Sequence, residues 1–252
     1  MRVPEHPFTR ILLVLIGGLG LAWAVTAVAD DADLRRLTEL RTAVLAGETF
    51  DSLGIGAIAA ELERSADTPA CDTRVLEMIV PIRLRLVELA LVEDNVERAR
   101  ELTARLQRDA EKLLSCAPYQ SFAWLVLFWS RNLEGDLAPD DFELLRMSLR
   151  TGPHEGWISR RRNQVALAAY DALPDDLKQR TLEEFRDLTR TTYMADAAAT
   201  FVEIAPQSAR DDIVARLADL PPETLADFAE RVRALSEGKI ELPAFEQLVP
   251  PE

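Results

Sequence analysis

The chain has 252 residues, 48 % hydrophobic and 29 % charged, which is material for one ordinary domain or two small ones and excludes a disordered or collagen-like polymer. Its 43 acidic residues outweigh 29 basic ones, and the formal net charge of -14 argues against a nucleic-acid partner. With two histidines, two cysteines and ten glycines, the usual ingredients of metal, nucleophile and phosphate-loop sites are scarce, and no cofactor or metal is implied.

Residues 11–28, ILLVLIGGLGLAWAVTAV, carry no charge. As a helix rising about 1.5 Å per residue they span roughly 27 Å, a bilayer core with little tilt. Arg2 and Arg10 precede the run and Asp30, Asp31 and Asp33 follow it, which puts a short N-terminus in the cytoplasm and the bulk of the chain in the periplasm, behind a single inner-membrane span. Trp23 suits an interfacial anchor, and Pro4, Glu5 and Pro7 are atypical of a signal peptide. Ala27-Val28-Ala29 nevertheless reads as a cleavage site, and cleavage at Ala29 would release the chain into the same compartment. Gly18 and Ala22 form a small-xxx-small pair through which two such helices can pack, one route to a homo-oligomer. In an oxidising compartment Cys71 and Cys116 are expected to form a disulfide. Two buried free thiols, or a redox pair without C-x-x-C spacing, are the alternatives.

Beyond Asp30 the apolar positions recur at three and four, with no period-2 alternation and no hairpin signal, so the expected class is all-α. Short helices are expected after Asp33, on Leu37, Leu40, Val44 and Leu45, and over Ile55, Ile58, Ala59 and Leu62. A longer one runs from Thr73 to Val92, kinked or restarted at Pro81. Asp94 and Glu97 read as a capping box for a helix with Ala99, Leu102, Leu106, Ala110, Leu113 and Leu114 on one stripe. Ser121 to Leu133 is apolar nearly all round and ends at Gly135. Trp124, Phe128 and Trp129 on it read as core rather than as a ligand platform. Further helices are expected after Pro139-Asp140-Asp141, with Phe142, Leu145 and Leu149 inward and a stop at Thr151-Gly152-Pro153, then from Trp157 to Leu173. The rest are expected after Pro174-Asp175-Asp176 and over Ala195–Ile204, Ser208–Leu220 and Pro222–Ser236, before a coil with Pro243, Pro250 and Pro251.

Pro118 and Pro153 each precede a Trp-bearing helix and lie about 35 residues apart, close to a helical-hairpin period. The expected architecture is therefore an N-terminal transmembrane helix followed by an α-solenoid of degenerate tetratricopeptide-like hairpins. Its parts are a membrane anchor or signal at 1–29, a helical linker or cap at 30–70, the repeat core at 71–193, and a C-terminal cap and tail at 194–252. The strings APYQSFAWLVLFW (Ala117 to Trp129) and LLRMSLRTGPHEGWISRRRNQVALAAYDALP (Leu144 to Pro174) resemble those of single-span, tetratricopeptide-like envelope proteins of alphaproteobacteria. The genes of that family lie beside those for surface-polysaccharide polymerisation or export. The likeness covers roughly the central third of the chain, and its motifs carry no assigned chemistry.

Catalytic signals are weak. His6 precedes the apolar run and His154 stands alone after Pro153; neither an HExxH nor a G-x-S-x-G motif is present. Leu53-Gly54-Ile55-Gly56 lacks the third glycine and the lysine of a phosphate loop. Asp140, Asp141, Glu143 and Glu155 could serve as glycan-cleaving carboxylates, but each also fits a first-turn helix position. In an acidic chain, Arg160-Arg161-Arg162 beside Trp157, with Arg146 and Arg150 one helix earlier, is the sharpest local anomaly. Three consecutive arginines span most of a helix circumference, so at least one turns inward towards a carboxylate such as Glu143 or Glu155. As a surface patch these six residues suit an acidic segment, a lipid phosphate or an anionic sugar. The expected function is a non-enzymatic periplasmic scaffold or adaptor, anchored in the inner membrane, that assists O-antigen or exopolysaccharide assembly or export through protein contacts. The alternatives are a glycan-active enzyme using Glu155 and a purely structural oligomerising anchor.

Overall fold

In the computed structural model, which describes residues 14–23, 35, 38–43, 58, 60, 62, 71–135, 137–240 and 242, every regular element is a helix, as the sequence periodicity requires. Residues 14–23 are helical and exposed throughout, and residues 38–43 are helical as well. The rest of the 11–28 run, the Gly54 and Gly56 turn, most of both short helices and the proline coil after Leu242 lie outside the described residues. Among the described residues no helix is long and apolar enough to cross a membrane. The chain divides into two compact units, Met1–Lys112 and Leu113–Glu252.

In the first unit, α1 (Thr73–Val92) begins at Asp72, whose Oδ1 accepts the N–H groups of Arg74 at 3.0 Å and Val75 at 3.5 Å. The Arg74 guanidinium, with those N–H groups, holds the Asp72 carboxyl below its ordinary value. Pro81 does not restart the helix: α1 passes through it, and Val80, Pro81 and Ile82 are all buried, so packing offsets the lost backbone hydrogen bond. The cap of α2 (Val96–Cys116) also differs from the expected box. Asp94 takes a left-handed backbone with φ of 55°, and it is Asn95 whose Oδ1 accepts the Arg98 N–H at 3.2 Å. Ala99, Leu102, Leu106, Ala110, Leu113 and Leu114 are buried as the stripe requires. Between α1 and α2, Arg83 Nε donates to Asp109 Oδ2 at 2.5 Å, with the Arg83 side chain 2 % exposed.

The second unit holds α3 (Ser121–Glu134), α4 (Asp141–Thr151), α5 (Gly156–Ala168), a 3-10 turn at Tyr170–Ala172, α6 (Asp175–Leu188), α7 (Met194–Glu203), α8 (Gln207–Leu217) and α9 (Pro222–Leu235). Gly135, with φ of 99°, supplies the left-handed stop of α3. The helix expected from Trp157 to Leu173 ends earlier, at Ala168, and tightens into the 3-10 turn that buries Tyr170. One apolar core runs from Leu125 on α3 to Leu242, centred on Phe128, Phe185, Phe201 and Phe228, whose last three rings meet edge-on at 5.9 and 5.6 Å. Helix α3 packs on α4 and α5, α5 on α6 and α7, α6 on α7 and α8, and α7 on α9.

Two glycines permit the close approaches that shape this unit. A Cβ at Gly152 would stand 2.6 Å from Ser121 Cβ and 2.9 Å from Glu155 Oε1, and one at Gly156 would stand 2.7 Å from the Tyr193 ring. The Thr151-Gly152-Pro153 stop therefore seats the end of α4 against the start of α3.

Candidate functional site

The three consecutive arginines diverge. Arg162, on the inner face of α5, is 1 % exposed and uses its whole guanidinium. Nε and Nη2 donate to Glu184 on α6, the shortest contact being 2.5 Å. Nη1 donates to the Ser148 carbonyl at 2.9 Å and reaches Ser121 Oγ at 3.2 Å, while Nη2 also donates to the Gly152 carbonyl at 3.1 Å. One buried cation thus ties the end of α4 and the start of α3 to α6, with every donor satisfied. The inward arginine expected from the sequence is Arg162, but its carboxylate is Glu184; Glu143 pairs instead with Arg146, at 2.8 Å. Arg160 donates to Asp196 on α7 at 2.8 Å, and Arg161 to Gln164 at 3.4 Å.

Above the Arg162–Glu184 pair lies a groove of about 650 Å³ between α4 and α6. Leu149, Leu177 and Leu188 supply its apolar lining, Arg146 and Arg150 one wall, and Arg180, Glu184 and Asp187 the other. Arg146 grips Asp176 with Nε at 2.8 Å and Nη2 at 2.9 Å. That contact holds the Asp176 carboxyl below its ordinary value and raises the guanidinium. Arg150 makes no ion pair among the described residues and donates only to Met147 Sδ, at 3.7 Å. His154, exposed, lines the same groove.

The six arginine and tryptophan candidates are therefore three sets rather than one patch. Arg146 and Arg150 line the groove; Arg162 is interior; Trp157, with its ring 5.1 Å from that of Phe122, sits with Arg160 and Arg161 on α5 outside the groove lining. Phe128 is fully buried, while Trp124 and Trp129 are half-buried, with Trp124 Nε1 donating to the Pro118 carbonyl at 2.8 Å. Among the candidate carboxylates, Asp141 Oδ2 accepts the Ala138 N–H at 2.8 Å, and Asp141 and Glu143 occupy the first turn of α4. Glu155 is the exposed residue before α5, and its side chain caps no N–H. Cys71 and Cys116 are both disulfide-bonded. Among the described residues no three His, Cys, Asp or Glu side chains converge as a metal site.

A second polar cluster went unread in the sequence. Tyr170 Oη donates to Asp212 Oδ2 at 2.7 Å beneath Lys178, whose Nζ lies 5.5 Å from the ring centroid. Burial, and next the Asp212 carboxylate, push the phenol well above its ordinary value. Arg83–Asp109 went unread too. For Arg83 the available signal was a charge set inside an apolar stripe, Ile82-Arg83-Leu84.

No family matches the chain, and neither a curated protein nor a solved structure is similar to it.

Proposed function

We propose that the chain is a non-enzymatic adaptor, held at the inner membrane by residues 11–28, whose helical body in the periplasm assists surface-polysaccharide assembly or export through contacts with envelope proteins. The observation that carries this reading is the packing order of the second unit: α3 meets both α4 and α5, α5 meets both α6 and α7, and α7 meets α9. Contact with the next helix and the next but one is how stacked hairpins bury a continuous core, and such stacks present long side-chain surfaces to partners. Trp157, half-buried against Phe122, and Arg161 beside it are the side chains of α5 best suited to a protein anchor. The ten uncharged, exposed residues of the 14–23 helix favour apolar surroundings, which supports the anchor. The polysaccharide link rests on the likeness of the 117–129 and 144–174 strings alone.

A photoreactive residue in place of Arg161, crosslinked in native membranes and read by mass spectrometry, tests the proposal. Adducts with a polysaccharide-assembly protein are expected. Glycan adducts, lipid adducts or self-adducts alone would overturn it.

A further inference from the structure

The α4–α6 groove carries charge of both signs, and most of it is neutralised within the protein. Arg146 holds Asp176 at 2.8 Å, Arg180 pairs with Glu183 at 3.3 Å, and Glu184 belongs to the interior Arg162. Two charges of the lining are left over. Arg150, at the C-terminal end of α4, donates only to Met147 Sδ, at 3.7 Å. Asp187, at the C-terminal end of α6, has no side-chain hydrogen bond or ion pair among the described residues. The two stand on opposite walls and do not pair with each other. Two more polar side chains without a partner among the described residues share the lining, His154 just after α4 and Tyr193 just before α7. Gly156 seats the Tyr193 ring, because a Cβ there would stand 2.7 Å from Cε2. Leu177 and Leu188 are buried and serve the core, so the apolar surface still open in the lining comes from Leu149 and Pro153.

We infer that this groove binds a short peptide with free ends, its carboxylate on Arg150 and its ammonium on Asp187. The argument is what the internal pairing leaves over. A purely anionic ligand would meet Asp187 and Glu183, and a purely cationic one Arg150 and Arg180, whereas a zwitterion complements both walls at once. A guanidinium takes a carboxylate through two parallel N–H···O bonds. An ammonium has three donors, which the Asp187 carboxylate and the Tyr193 phenol oxygen can accept. Between the two ends, His154 offers hydrogen bonds to peptide amides, and Leu149 and Pro153 offer contact to side chains. The groove's volume of about 650 Å³ suits a ligand of a few residues. The inference goes beyond the adaptor reading and depends on different residues, since Trp157 and Arg161 take no part in it.

The test is isothermal titration calorimetry of the full chain in detergent with trialanine, N-acetyl-trialanine and trialanine amide. Arg150→Gln and Asp187→Asn variants are titrated alongside, once their helix content and melting match the wild type. Free trialanine should bind the wild type, and blocking either end should weaken it about tenfold. In Asp187→Asn the acetyl block should make no further difference, and in Arg150→Gln the amide block should make none. Those two silences assign each end of the peptide to its wall. No heat with trialanine at about 10 mM overturns the inference. So does equal affinity for free and blocked peptides, or wild-type affinity in both variants.

Discussion

Arg162 is the residue on which the second unit turns. A buried guanidinium with a single carboxylate partner is stable only as a complete set, because removing one side leaves the other charge desolvated and alone. Arg162→Met or Glu184→Gln should therefore each cost about 3–5 kcal/mol, and Arg162→Met with Glu184→Leu should cost less than either single change, as read by urea unfolding. A double variant no more stable than the singles would mean that the Ser148 and Gly152 carbonyls, rather than the charge pair, carry the arginine's contribution. Gly152→Ala meets Ser121 Cβ at 2.6 Å and should destabilise by about 1–3 kcal/mol, whereas Gly135→Ala has open space and only its φ of 99° to contend with. Tyr170 sets the alkaline limit. Its phenol value is raised in the fold, so the stability it contributes is complete below the unfolded value near pH 10 and is lost as pH rises through the raised one. Stability measured from pH 8 upward should decline above pH ~10, and Tyr170→Phe should flatten that decline while lowering stability at neutral pH. On the acid side the signs reverse. Asp72 and Asp176 lie below their ordinary values, so their contributions hold above pH ~4 and vanish as pH falls through the lowered values.

At the scale of elements the chain was largely readable. The expected segments from Thr73 onward are helices, with stops at Gly135 and Gly152 and starts at Asp141 and Asp175, because amphipathic spacing and turn residues are local properties of the chain. Of the two outcomes expected at Pro81, a kink or a restart, the restart does not occur, because a proline's cost is local while the burial that offsets it is not. The site was less legible for a related reason. Arg146 and Arg150 stand out as arginines in an acidic sequence, but Asp176, Glu184 and Asp187 complete the groove from α6, and a carboxylate on an exposed-looking helix gives no sign of which arginine it meets. Glu184 in particular lies 22 residues beyond Arg162 and differs in no local respect from Glu183. The disulfide is the element-scale device with a measurable weight. Closing a loop of about 46 residues contributes ~3–4 kcal/mol in the chain-entropy account, so reduction, or replacement of both Cys71 and Cys116 by alanine, should lower unfolding stability by about that amount. An unchanged midpoint under reductant would show that the hairpin of α1 and α2 needs no covalent staple.

For the whole molecule, the redox state of Cys71 and Cys116 offers a test of the proposed periplasmic location, since disulfides persist in oxidising compartments and are rare in the cytosol. Leu19 lies in the middle of the exposed, uncharged 14–23 helix, and an arginine at the centre of a span costs about 2.5–3.5 kcal/mol of insertion. In Leu19→Arg the chain should stay in the cytoplasm with both cysteines reduced and open to maleimide, while in the wild type both should resist it until reductant is added. Sedimentation separates the two routes that share an oxidised outcome. A retained anchor keeps the wild type in the carbonate-washed membrane pellet with Met1 and Arg2 still attached, whereas cleavage at Ala29 gives a freely soluble periplasmic protein beginning at Asp30. The proposed anchor, read from the uncharged run, the preceding Arg10 and Trp23, predicts the first result. A soluble wild type with oxidised cysteines would remove the anchor while leaving the periplasmic body in place, and a wild type that maleimide labels without reductant would remove both.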